Sequence, residues 1–163
     1  MQLAMTRQDD QANVELGELN DLLGFLVRIA QIQTFDQFFE AFDMQDLRPG
    51  EVSSLLVIGH NPCIRQGLLA QTLRIKPAQM SKLIRSLDKR RLVERIIPED
   101  DRRSVELRLT RKGESVLDHY RPMLNALDPV QRGKLSEDEN RLLKSLLRKL
   151  VGLEPGREER KQD

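Results

Sequence analysis

PEDDRRSVELRLT, residues 98–110, sets five consecutive charges, Glu99 to Arg103, between two stretches in which apolar and polar residues alternate. Before it, Leu92-Val93-Glu94-Arg95-Ile96-Ile97 reads as one strand. After it, Val105, Leu107 and Leu109 alternate with Glu106 and Arg108 as a second. The pair is a hairpin with a charged tip. Burying such a tip would cost far more than a turn can return, so it belongs in water or against a partner of opposite charge.

Immediately upstream, Pro77 opens a helix that the spacing carries to about Arg90. Met80, Leu83, Ile84 and Leu87 recur at three- and four-residue steps and mark a buried face. The opposite side carries Gln79, Ser81, Lys82, Arg85, Ser86 and Lys89. A shorter helix, Gln66 to Leu73, precedes it across a tight break. Further back, Pro49 starts a helix running to about Ile58, and a long first helix, or two, begins near Leu19 and carries Phe35, Phe38, Phe39 and Phe42. Downstream, Thr110 caps a helix with Val116, Leu117, Tyr120 and Leu124, which Pro122 is expected to kink. Ser136 with Glu139 has capping-box spacing and leads into Leu142, Leu143, Leu146, Leu147 and Leu150.

Charge is segregated along the chain. Residues 1–60 hold 3 Lys+Arg against 10 Asp+Glu, and residues 71–113 hold 13 against 6. The basic excess therefore coincides with the exposed helix and the hairpin. The single cysteine, Cys63, cannot form an internal disulfide; lying among Asn61, Pro62 and Ile64, it is expected to be buried. Two histidines and one cysteine make no metal-ligand cluster, and no cofactor motif is present. There is no G-x-S-x-G, P-loop or H-E-x-x-H, which argues against catalysis. The longest uninterrupted apolar run is Leu55 to Ile58, too short for a membrane span, and no secretory leader opens the chain; a soluble, cytoplasmic protein is expected.

Helix, short helix, exposed basic helix and charged hairpin is the order of a winged helix-turn-helix, mostly α with a small β-hairpin wing. In such a unit Gln79 and Ser81 can bond base edges, while Lys82 and Arg85 can reach guanine or phosphate. Ser86 and Lys89 complete the outward face. Arg102 and Arg103 on the wing can approach the electronegative minor groove, with Asp100 and Asp101 holding a guanidinium in one orientation. The acidic N-terminal helix and the leucine-rich C-terminal helix flank this unit and carry more apolar surface than it can cover, which calls for a second copy of the chain.

The residues also resemble the MarR (multiple antibiotic resistance regulator) family of transcription factors. Asp101-Arg102-Arg103, five residues, then Leu109-Thr110 with Gly113 behind is similar to its D-x-R-x5-L-T wing signature, and the element order agrees from about Leu19 to Val151. The resemblance implies a homodimer, joined by its first and last helices, that binds a pseudo-palindromic double-stranded operator. It implies a repressor released by a small effector such as an aromatic or phenolic acid or a CoA thioester. It makes Asp101 and Arg103 the D-x-R pair and divides the chain into a flexible N-terminus (1–12), an N-terminal dimerisation helix region (13–45), the DNA-binding domain (46–113), C-terminal dimerisation helices (114–153) and a flexible tail (154–163). Where family effectors sit, Arg28, His60 and Tyr120 are the candidates here. Arg91 stands where members often have a glycine ending the recognition helix, which implies a different stop, and Arg85 occupies a position that is frequently acidic. Two rival readings are a winged-helix module docking an acidic protein and a redox regulator acting through Cys63, although relatives that sense peroxide place their cysteine in the first helix.

Overall fold

The computed structural model describes residues 14–41, 47–99, 104–127 and 134–154. The chain divides into two compact units, residues 1–36 and 37–163. The first holds a short 3-10 helix, Gly17–Asp21, which periodicity did not signal, and most of helix α1, Leu23–Ala41. Its Leu19, Leu22, Leu23, Leu26, Val27 and Ile32 are exposed.

The second unit contains α2 (Pro49–His60), β1 (Ile64–Arg65), α3 (Gln66–Thr72), α4 (Pro77–Lys89), β2 (Val93–Ile96), β3 (Glu106–Leu109), α5 (Arg111–Ala126) and α6 (Glu137–Val151). Prolines set two of these starts. Arg48 and Lys76, each before a proline, are extended, which ends the preceding segment and lets the proline open the helix. The hairpin forms as the alternation requires, with Val93 opposite Leu109 and Ile96 opposite Glu106. The two-residue β1, too short to leave a periodic trace, adds to the other edge of β3 with Ile64 opposite Leu107, giving the order β1-β3-β2. Residues 100–103, the tip itself, lie outside the described residues, as do Phe42 and the ends expected to be flexible, apart from Glu154.

One core serves the unit from α2 to α5, and among the described residues α6 adds no apolar side chain to it. Leu55 and Ile58 from α2, Leu69 from α3, Met80, Ile84 and Leu87 from α4 and Leu107 from β3 are completely buried, each contributing about 1.5–3 kcal/mol of transfer free energy. Phe38, from the end of α1 that belongs to this unit, joins them. α5 runs without interruption through Pro122, although that residue has no N–H to offer the Asp118 carbonyl. α6 starts on the anticipated capping box: Ser136 Oγ accepts from the Glu139 N–H, and Glu139 Oε2 accepts from the Ser136 N–H at 2.8 Å. The Ser136 N–H, and after it the Ser136 hydroxyl, which donates to the same Oε2 at 2.8 Å, hold the Glu139 carboxyl below its ordinary pKa. Along the rest of α6, Leu142, Leu143, Leu146, Leu147 and Leu150 are exposed.

Two sequence expectations are corrected. Cys63 is exposed, because it occupies the third position of the Asn61–Ile64 turn, behind Pro62, with φ 65°. And α4 keeps the left-handed stop that an arginine at 91 was expected to abolish. Arg91 has φ 58°, its N–H bonds to the Asp88 carbonyl at 2.8 Å, and the Leu92 N–H bonds to that of Leu87 at 2.9 Å, which is the Schellman pattern. α3 ends in the same way on Arg74, φ 54°, whereas α6 uses Gly152. Because a non-glycine residue is disfavoured in this region, Arg91→Gly is expected to stabilise the protein by about 1 kcal/mol. The Arg91 side chain is exposed and makes no hydrogen bond or ion pair among the described residues, so little is lost with it. Urea unfolding at fixed protein concentration checks this; a loss of stability would mean that the side chain has a structural role.

Candidate nucleic-acid interface

α4 is divided lengthwise. Met80, Ile84 and Leu87 are completely buried, while Gln79, Lys82, Arg85, Ser86 and Lys89 are exposed and Ser81 is half-buried. The structure therefore brings together on one helix all six α4 residues singled out by sequence. Arg85 is laid back one turn, its Nε donating to the Ser81 carbonyl at 3.1 Å, which points the guanidinium toward the N-terminal half of the helix. Ser86 is turned the other way, its Oγ donating to Glu51 Oε1 at 3.2 Å.

Glu51 is a residue that sequence reasoning missed. Buried at the start of α2, it accepts from the Arg48 N–H at 2.9 Å and from Ser86, and Arg90 Nη1 stands 3.7 Å from its Oε2. A buried carboxylate needs such donors, and here they pin the last turn of α4 to the first turn of α2. The only local signal was an acidic residue three positions after the residue preceding Pro49, half of a capping box. Gln66, at the start of α3, was also missed. Its N–H bonds to the Val105 carbonyl at 2.8 Å and its Nε2 donates to Ser81 Oγ at 3.1 Å.

The far end of α4 is fixed by the rear half of the wing motif. Thr110 Oγ1 donates to the Arg91 carbonyl at 2.6 Å and accepts from the Gly113 N–H at 3.0 Å, and the Thr110 N–H bonds to the Leu92 carbonyl at 3.1 Å. On the hairpin, Glu94 and Arg108 face each other in register and bond at 2.7 Å, and that hydrogen bond, followed by the charge of Glu94, raises the Arg108 pKa above its ordinary value. Asp101, Arg102 and Arg103 lie outside the described residues.

Of the residues suggested for an effector, Arg28 is exposed on α1, His60 is exposed at the end of α2, and Tyr120 is buried on α5, edge-to-face with His119. A separate open cleft of about 340 Å³ lies against α2, β3 and α5, lined by Ile58, Leu109 and Leu117 together with Arg108, Asp118 and Arg121. Both of its arginines are already paired, Arg108 with Glu94 and Arg121 with Asp118 at 3.3 Å. Among the described residues there is no group of three or more His, Cys, Asp or Glu that could hold a metal ion, and no helix is long and apolar enough to cross a membrane.

A short helix, an amphipathic helix with a cationic outer face and a three-stranded wing packed on one core define a winged helix-turn-helix DNA-binding protein. The family model described as MarR family matches residues 45–104, the segment that holds α2 to β2 and stops just before β3. The chain is 30% identical to the transcriptional repressor CouR bound to a 23-mer DNA duplex, covering 86% of this chain and 99% of that one with a TM-score of 0.78. It is 27% identical to CouR bound to p-coumaroyl-CoA, over 85% and 97%, with a TM-score of 0.76. It is 29% identical, over 86% of each, to a putative transcriptional regulatory protein for the hcr operon of Thauera aromatica. The chain belongs to the MarR family of transcriptional regulators.

Proposed function

We propose that the protein is a homodimeric repressor that sets α4 of each copy in a DNA major groove, on half-sites about one helical turn apart, and lets go when a small ligand binds. The observation that carries this reading is the lengthwise division of α4, whose buried face anchors it while Gln79, Ser81, Lys82, Arg85 and Lys89 remain available to a duplex. Arg102 and Arg103 extend the contact into the minor groove, where Asp101 orients a guanidinium. Dimerisation is supported by the uncovered leucines of α6 and the uncovered apolar residues of α1. The ligand class, an aromatic acid or its CoA thioester, is supported by the likeness to CouR, whose structure with p-coumaroyl-CoA is among those similar to this chain.

The test begins with a duplex enriched from a randomised pool by the full-length protein. Gel shift against excess non-specific competitor should retain that duplex as a complex of two chains. Addition of p-coumaroyl-CoA should release it where CoA alone does not. A protein that enriches no sequence, yet binds acidic polypeptides in a salt-sensitive way, would be the interaction module instead.

A further inference from the structure

Three serines near the helix-turn-helix use their hydroxyls differently. Ser53 and Ser54 donate to the carbonyls four residues back, those of Pro49 and Gly50, at 2.9 and 2.8 Å. Ser81 makes no such bond. Its Oγ instead accepts from Gln66 Nε2 at 3.1 Å. A hydroxyl has one proton to give and two lone pairs to fill, so a lone pair of Ser81 is occupied by the amide while its proton stays uncommitted. Ser81 is half-buried on the face of α4 between Gln79 and Lys82, and Gln66 is half-buried behind it. The same Gln66 anchors its own N–H on Val105, just before β3, so one residue sets both the polarity of a side chain on α4 and the seating of the wing behind it.

We propose that Gln66 is a positioning residue for sequence readout: it holds the Ser81 hydroxyl as a donor toward an acceptor on a base edge, purine N7, guanine O6 or thymine O4. A serine free of such a constraint can serve donors and acceptors alike. With one of its two lone pairs taken by an amide N–H, which polarises its O–H, Ser81 favours base-edge acceptors over the exocyclic amino groups of cytosine and adenine. This rests on α4 being the helix that reads the major groove.

A double-mutant cycle tests it, with affinity measured for the enriched duplex and for a random duplex of equal length. Gln66→Met keeps the side-chain volume and removes both polar groups; Gln66→Ala repeats the cycle if methionine lowers the melting temperature. Gln66→Met and Ser81→Ala should each weaken the enriched complex about tenfold, toward the low end of what a direct base contact is worth, and leave the random complex unchanged. The double variant should be no weaker than Ser81→Ala alone, since the amide acts only through the hydroxyl. Multiplying losses would overturn the proposal, as would an equal loss on random DNA, which would mark a phosphate contact or general damage. An intact Gln66→Met complex beside a weakened Ser81→Ala complex would also overturn it. If Ser81→Ala has no effect while Lys82→Ala weakens binding, the proposal fails and the role of α4 stands; if neither has an effect, that role fails as well.

Discussion

Gly113→Ala is expected to destabilise the protein by about 3 kcal/mol, at the upper end of the usual cost of overpacking a rigid site. A methyl group at residue 113 would lie 2.0 Å from the Leu92 carbonyl oxygen and 3.0 Å from its carbonyl carbon. Both are backbone atoms, so no side chain can rotate away. The Leu92 carbonyl is also committed, since it accepts from the Thr110 N–H, and Thr110 in turn holds the Arg91 carbonyl and the Gly113 N–H. Relief requires α5 to lift off the end of α4 and the base of the wing, breaking that set of bonds together. Urea unfolding at matched protein concentration should give a midpoint far below that of the parent. A change under about 0.5 kcal/mol, the size of an ordinary surface substitution, would show that α5 slides aside freely.

Removing two of the three cations on the exposed face of α4, as Lys82→Ala with Arg85→Ala, is expected to abolish sequence-selective DNA binding at near-physiological salt. Each should cost about 1–3 kcal/mol if it reads a base. Both side chains are exposed, and alanine is the better helix former, so melting should be unaffected or slightly improved. The two substitutions need not act alike. Arg85 is tethered to the Ser81 carbonyl at 3.1 Å, which limits where its guanidinium can reach. A loss shared by all sequences, with the salt dependence of binding reduced by about one phosphate contact, would make it a backbone contact. A loss confined to the enriched duplex would make it a reader. An unchanged complex with the double variant would remove α4 from recognition.

What the sequence discloses depends on how local the cause is. Pro49, Pro77, Thr110 and Ser136 act on their own neighbours, so helix starts are legible from them and match the structure closely. The alternation of Val105, Leu107 and Leu109 is equally local and fixes the strand of the wing, while Met80, Ile84 and Leu87 fix the inner face of α4. Glu51 and Gln66 are different: their partners, Ser86 and Ser81, stand 35 and 15 residues away, and no spacing rule joins them. The exposure of Cys63 escaped for a similar reason, since the turn that presents it depends on a backbone conformation that glycine ordinarily signals. Arg91 carried the same ambiguity. Its neighbours' hydrogen bonds force the left-handed stop, and tertiary contact prevails over local preference.

The attachment of α4 has a bearing on retargeting. Its lower turn is tied through Ser86 and Arg90 to α2, its face through Ser81 to α3, and its exit through Arg91 and Leu92 to the start of α5. A peptide copied from residues 66–91 and grafted elsewhere leaves the first and last of these moorings behind, so its aim is not inherited. On the proposed reading of α4, altered operators are better sought by exchanging Gln79, Lys82 or Lys89 in place, where the scaffold continues to hold the helix.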